Sequence, residues 1–323
     1  MPGDCAPGRA VSGPLRRLVL VLGDQLWMDN PALGGFDPAQ DRVLMIEAPG
    51  EGTQVWSHKA RIALFLSAMR HFCNDVHRQG WPYTYVRLDD MADLPTFPAR
   101  LLKVLQDLKP QMLVVCEPGE WRMLCAVQDA ARDADVGWQV LPDTHFMCSR
   151  EEFARWAGDK KELRMEFFYR DMRRRHGVLM NAGQPEGGSW NFDAENRKGW
   201  PAGGPGNIPE PAWFEPDHIT QQVFALVEQH FPGHPGSLAS FQWPVTREQA
   251  LVALQRFIDV RLPRFGPQQD AMWTDTPWGW HALLATSLNL HLLVPREVIA
   301  AAETAYRERC LDLPGVEGFI RQI

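Results

Sequence analysis

Leu18-Val19-Leu20-Val21-Leu22-Gly23-Asp24-Gln25 decides the fold. Five consecutive aliphatic residues leave no polar face, so a strand built from them is covered on both sides, as in a parallel sheet flanked by helices. Gly23-Asp24 ends the run with a turn. Further short apolar runs at 43–46, 83–87, 112–116 and 138–141 predict four more strands. Between them Ile62, Phe65, Leu66, Met69, Phe72, Cys73 and Val76 recur at helical spacing, and weaker patterns cover 98–108 and 121–134. Strands and helices in alternation mean crossover connections and a mostly parallel sheet. Ligands of such sheets sit beyond the carboxyl ends of the strands, where Gly23-Asp24-Gln25 and Glu117-Pro118-Gly119-Glu120 fall.

The rest of the chain is organised around that unit. Residues 1–14, rich in Gly and Pro, read as a loose tail, and the α/β unit runs over 15–150. A basic segment and a Pro/Gly-rich linker fill 151–216, with eight Pro or Gly between Pro201 and Pro216. From 217 to 323 the pattern is helical: Ile219, Val223, Leu226 and Val227 mark one helix, Thr246 with Gln249 opens another as a capping box, and two more follow near 296–307 and from 316. The last helix stops at Gln322-Ile323 in mid-pattern, the expectation for a chain cut short.

Composition excludes several function classes. With 45% hydrophobic and 23% charged residues the 323-residue chain folds around a core. Its 33 Lys and Arg against 40 Asp and Glu give a net charge of −7, so any nucleic-acid site is local. The six scattered cysteines lack zinc spacing and read as reduced. No apolar run is long enough to span a bilayer and no signal sequence opens the chain, so a cytoplasmic location is expected. Phosphate-loop, dinucleotide, metalloprotease and serine-hydrolase motifs do not occur at usable positions.

Four features could carry chemistry. Residues 160–176 hold seven basic and three acidic side chains, which suits phosphate contact or a solvated helix face. Trp273, Trp278 and Trp280 line a pocket for a flat ligand or form core. His281 follows a Pro/Gly turn and opens a helix, where exposed N–H groups attract anions, or else caps it. Glu51 and His58 follow the second strand and reach the Asp24 cleft or serve as helix-start polarity.

Several ordered segments then converge on one family. Leu20-Val21-Leu22-Gly23-Asp24-Gln25-Leu26, Ser57-His58-Lys59 through Met69-Arg70-His71, Glu117-Pro118-Gly119-Glu120-Trp121-Arg122, Trp190-Asn191-Phe192-Asp193 through Arg197-Lys198, Gln269-Asp270-Ala271-Met272 and Val316-Glu317-Gly318-Phe319-Ile320-Arg321-Gln322-Ile323 resemble the deoxyribodipyrimidine photolyase-related proteins. These are bacterial (6-4) photolyases and iron–sulfur cryptochromes. The resemblance implies a Rossmann-like α/β antenna domain followed by an all-α FAD-binding domain, incomplete in this chain. It implies a DNA-repair lyase in which photoexcited reduced FAD passes an electron to a flipped-out pyrimidine lesion in ultraviolet-damaged DNA, acting as a monomer. A cryptochrome-like blue-light sensor with the same pigments is the alternative.

The family's 6,7-dimethyl-8-ribityllumazine antenna would fall on Gly23, Asp24, Gln25, Glu51 and Glu117, with Gln54 where some relatives carry an aromatic residue. FAD would fall on Phe265, Gln269, Asp270, His281, Leu283, Leu284, Ser287, Asn289 and Gln322. At two commonly serine positions this chain has Ala282 and Ala285, leaving Ser287 and backbone N–H groups for the pyrophosphate. Arg173, Arg174, Arg175, Arg197 and Lys198 would meet DNA. The family's [4Fe-4S] ligands, its lesion-site histidine and its electron-hopping aromatics have no counterpart before Ile323, so no metal ligand and no catalytic residue is assigned.

Overall fold

The computed structural model describes residues 13–323; the expected tail over 1–14 lies outside them up to residue 12. The first half alternates as the sequence predicts: β1 (Arg17–Leu20), β2 (Asp41–Ile46), α1 (Pro49–Thr53), α2 (Lys59–Arg78), β3 (Tyr83–Val86), α3 (Phe97–Leu108), β4 (Met112–Cys116), α4 (Trp121–Asp133) and β5 (Gly137–Leu141). Then come α5 (Arg150–Ala157), α6 (Met165–His176), a β6 (Met180–Asn181) and β7 (Gln184–Pro185) ribbon, and α7 (Asp193–Asn196). The helices α8 (His218–His230), α9 (Arg247–Val260), α10 (Ala285–Asn289), α11 (Pro295–Arg309) and α12 (Leu313–Ile320) complete the chain.

All five major strands are parallel, in the order β3-β2-β1-β4-β5. Val19 lies opposite Val43 on one side and Val114 on the other, so β1 is central, and its Leu18, Val19 and Leu20 are fully buried, as the unbroken aliphatic run requires. Chain order reverses direction between β1 and β4. That is a topological switch point, where the crossover loops part and leave a crevice at the carboxyl edge. Helix α2 starts on His58, whose Nδ1 accepts the Ala60 N–H at 3.0 Å, and turns Ile62, Leu66, Met69, Cys73 and Val76 inward.

The chain divides into two compact units. The first contains residues 13–144, 214–246 and 289–292; the second contains His145–Trp213, Arg247–Leu288 and Leu293–Ile323. Sequence reading started the second unit at residue 217, but α8 belongs to the first. Its buried Ile219, Val223 and Val227 face α2, and the two helices are tied by His71 Nε2 to Asp217 Oδ2 at 3.2 Å and Lys59 Nζ to Glu228 Oε2 at 2.5 Å. Periodicity shows that a helix has an apolar face, not which surface covers it. Gly236 closes this arrangement at φ 89°, and a Cβ there would overlap the His58 ring.

The second unit is helical apart from the small ribbon. At its centre the Phe257 and Phe319 rings sit 4.6 Å apart, with Phe265 edge-on to both at 5.9 and 5.7 Å. The buried Glu317 accepts from the Tyr169 hydroxyl at 2.8 Å. Burial raises the pKa of both groups.

Candidate functional site

A cavity of about 480 Å³ opens at the carboxyl edge of the sheet, wholly within the first unit. Its walls come from the segments that leave the strands: Gly23 and Asp24 after β1, Glu47 through Ser57 after β2, and Pro118 through Met123 after β4. One side is apolar, made by Ile62, Phe65, Leu66 and Met69 of α2 with Phe97 and Phe231. Volume and lining match small-molecule sites, where apolar walls supply contact area and a few polar groups orient the ligand.

The polar groups are set by layers of support. Glu47, fully buried at the end of β2, accepts from Arg70 at 2.7 and 2.9 Å, from the Tyr85 hydroxyl at 2.7 Å and from the Leu88 N–H at 2.8 Å. Burial opposes the charge on Arg70, but Glu47 more than offsets it and raises the guanidinium pKa. Burial also drives the Tyr85 hydroxyl well above its ordinary value. Arg100, itself fully buried, donates to the carbonyls of Glu47 at 2.9 Å and Arg87 at 2.7 Å, fixing the β2 and β3 exits together. These contacts make the floor of the cavity rigid.

At the mouth, Arg122 on α4 reaches Glu51 on α1 through two bonds of 3.0 and 2.7 Å and also contacts Glu120 at 3.0 Å. The hydrogen bonds that Arg122 donates to Glu51 lead in raising its pKa. Deeper in, burial pushes the Asp24 carboxyl up to about 6; Glu120 and Asp143 add to this and its own backbone opposes it. Asp24 thus titrates close to neutrality, inside a cavity.

Of the antenna residues expected from sequence, the structure brings Gly23, Asp24 and Glu51 together here, with Gln54 and Ser57 beside them. Gln25 and Glu117 do not line the cavity. The buried Gln25 side chain instead donates to the carbonyls of Cys116 and Glu117. His58 serves as the α2 cap. Sequence reasoning placed Glu120 in a candidate ligand loop without a role of its own and missed Arg122 and the Glu47–Arg70 pair. The available signals were an Arg on the apolar stripe of α2 and a Glu ending an apolar strand.

The residues expected around flavin lie in the second unit, except Asn289, which belongs to the first. Phe265 is a core residue. His281 lies before α10 rather than opening it, and both its nitrogens are used: Nδ1 accepts the Gly279 N–H at 3.0 Å and Nε2 meets the Gln269 carbonyl at 3.0 Å. Gln269 accepts from Gln322 at 3.4 Å. Asp270 and Asn289 are exposed, Leu283 sits at φ 56°, and Leu284 is buried. Ser287 is fully buried, and its hydroxyl has no hydrogen-bond partner. Trp280 is core, whereas Trp273 is exposed, so the three tryptophans do not form one wall.

The expected DNA residues also separate. Arg173 is 2% exposed, and its guanidinium donates to the carbonyls of Val178 at 3.1 Å, Trp190 at 3.1 Å and Leu179 at 2.6 Å. It holds the turn after α6, and its burial keeps it from a phosphate. Arg174, exposed, lies 4.5 Å over the Trp190 ring; Arg175 pairs with Asp171 at 2.6 Å; Arg197 and Lys198 are exposed.

A parallel sheet with a ligand-sized cavity at its switch point, in a chain that also builds a helical unit, is the architecture of photolyase-type proteins. The sequence model described as deoxyribodipyrimidine photo-lyase-related protein matches residues 19–243, and the chain belongs to that family. It is 43% identical over 309 residues to a (6-4) photolyase of Agrobacterium fabrum strain C58, covering 96% of this chain and 61% of that protein. It therefore spans about three fifths of the curated relative's length. In fold it is similar to a bacterial class III photolyase from Agrobacterium tumefaciens solved by crystallography, with a TM-score of 0.54 at 15% identity, over 97% of this chain and 57% of that one.

Proposed function

We propose that this chain belongs to a light-dependent DNA-repair flavoprotein of the (6-4) photolyase type, in which the first unit holds a light-harvesting chromophore and the second contributes to an FAD site. The observation that carries the reading is the cavity at the strand tips, built by the segments that resemble the family. Its flat aromatic walls and the Asp24 and Glu51 carboxylates fit a fused-ring heterocycle with hydroxyl and N–H donors, as 6,7-dimethyl-8-ribityllumazine is. Phe65, Phe97 and Phe231 would exclude water from the ring. Asp24 and Glu51 would accept from its polar edge.

For FAD, the buried Ser287 hydroxyl without a partner fits a polar cofactor group, and the bonded Gln269 and Gln322 amides would offer further donors and acceptors. When bound and photoreduced, FAD supplies the electron for lesion repair. Among the described residues no three His, Cys, Asp or Glu side chains stand together for a metal, so no role is derived for an iron–sulfur cluster. Arg174, Arg175, Arg197 and Lys198 would contact phosphates of ultraviolet-damaged DNA, with Arg173 holding the turn after α6. No helix among the described residues is long and apolar enough to cross a membrane, and the proposed setting is a cytoplasmic monomer.

The test is illumination of the protein, expressed from its gene and reconstituted with reduced FAD, in the presence of an oligonucleotide carrying one (6-4) lesion. A light-dependent fall in lesion count is expected. Unchanged counts with bound flavin would reject repair.

A further inference from the structure

We infer that the strand-tip cavity selects its ligand by charge, taking a neutral fused-ring polyol and rejecting the phosphate ester of the same molecule. The inference rests on the chromophore reading above and goes beyond it. In parallel α/β sheets the helix starts at the switch point usually hold phosphates, because unpaired N–H groups and the helix dipole favour anions there. Here two helix starts on the cavity wall, those of α1 and α4, carry resident carboxylates, while α2 enters the wall with Ser57 and Arg61 and α3 with Phe97. Glu51 occupies the first turn of α1, and Glu120 is the N-cap residue of α4.

The nearest cation is already committed. Arg122 is held by both carboxylates, at 2.7 Å from Glu51 and 3.0 Å from Glu120, and this clamp joins the walls that follow β2 and β4. Asp24 reports the negative field: after burial, Glu120 and Asp143 raise its carboxyl pKa. Arg61 is the remaining lining cation, and it is turned to the exposed rim, bonded to Ser57 Oγ at 3.3 Å and stacked over Phe65. A phosphate carrying close to two negative charges would have to break the clamp or sit among carboxylates. A ribityl chain would meet the same carboxylates as hydrogen-bond acceptors.

The experiment compares 6,7-dimethyl-8-ribityllumazine, riboflavin and riboflavin 5′-phosphate on the full chain by fluorescence titration, with Gly119→Trp as the blocked control. Gly119 lines the cavity, and a Cβ there meets only the Asp24 carboxylate at 3.6 Å, so the indole has room to fill the space. The two neutral polyols are expected to bind and to be lost in Gly119→Trp, with the phosphate ester at least thirtyfold weaker than riboflavin. The gap should narrow in 0.5 M salt and shrink about tenfold in Glu51→Gln/Glu120→Gln. Equal Gly119→Trp-sensitive affinity for riboflavin and its phosphate would overturn charge selection while leaving the chromophore cavity standing. Failure of every probe to bind, or binding indifferent to Gly119→Trp, would bring down the cavity reading and this inference together.

Discussion

The Nε2 of Gln25 donates to the Glu117 carbonyl at 3.0 Å and to that of Cys116 at 3.3 Å, so the loop leaving β1 is sewn to the end of β4 across the switch point. Two residues that look like ligand contacts in the sequence hold each other's segments instead. The loop gains a second anchor where the Leu26 N–H meets the Leu290 carbonyl at 3.0 Å.

Gln25→Leu keeps the volume and removes both donated bonds across the switch point. A loss of about 1–3 kcal/mol is expected, read as a lower urea midpoint. Lumazine affinity should change less than fivefold, because the side chain does not line the cavity; a larger loss would return Gln25 to the ligand shell.

Arg70→Met tests the floor. It leaves Glu47 fully buried with its main counter-charge gone, a situation that costs about 3–5 kcal/mol. Urea unfolding should show this as a much lower midpoint, and the double variant Glu47→Gln/Arg70→Met should recover part of it, since the uncompensated charge is then absent.

What sequence alone reveals follows from how each residue earns its place. A strand buried on both faces is written as an unbroken apolar run, as in β1 and β4, and the shorter apolar stretches of β2 and of the edge strands β3 and β5 are legible too, within a residue or two at their ends. The strand tips then locate Gly23, Asp24 and Glu51 through topology alone. Helix α8 is different, because its apolar stripe would suit either unit. Arg173 is different too: a guanidinium serving three main-chain carbonyls and one serving a phosphate have the same letter and the same basic neighbours. Only the fold brings Val178, Leu179 and Trp190 to one point. His281 likewise reads as an anion-binding helix start until its two nitrogens are found closing a loop.

The basic segment makes a divided prediction. Arg173→Leu removes three donated bonds, leaving Leu179 only its Glu186 N–H, and should cost about 2–3 kcal/mol of stability. Lys198→Ala, on an exposed side chain, should leave stability within about 0.5 kcal/mol. It should, however, lower the slope of log affinity against log salt for ultraviolet-damaged duplex by about 0.9, the release of one counterion. Measuring that slope between 50 and 200 mM salt decides the matter, and an unchanged slope would remove Lys198 from the DNA face.

Asp24 gives the protein a pH dependence whose sign is fixed by the direction of its shift. Its carboxyl goes from an ordinary value of 3.8 up to about 6 in the folded chain, with burial the main cause. Between those values the folded protein keeps a proton that the unfolded chain has released, so stability falls as pH rises through this window. Above it the ionised carboxylate costs the fold about 1–3 kcal/mol, allowing for its partial exposure to solvent. Asp24→Asn carries no such charge and has nearly the shape of the protonated acid. The variant should therefore be more stable than the parent above pH 6.5, and the two urea midpoints should converge below pH 4. A constant difference across the range would mean that Asp24 is ordinary in both states, and that the field at the strand tips is weaker than its neighbours Glu120 and Asp143 require.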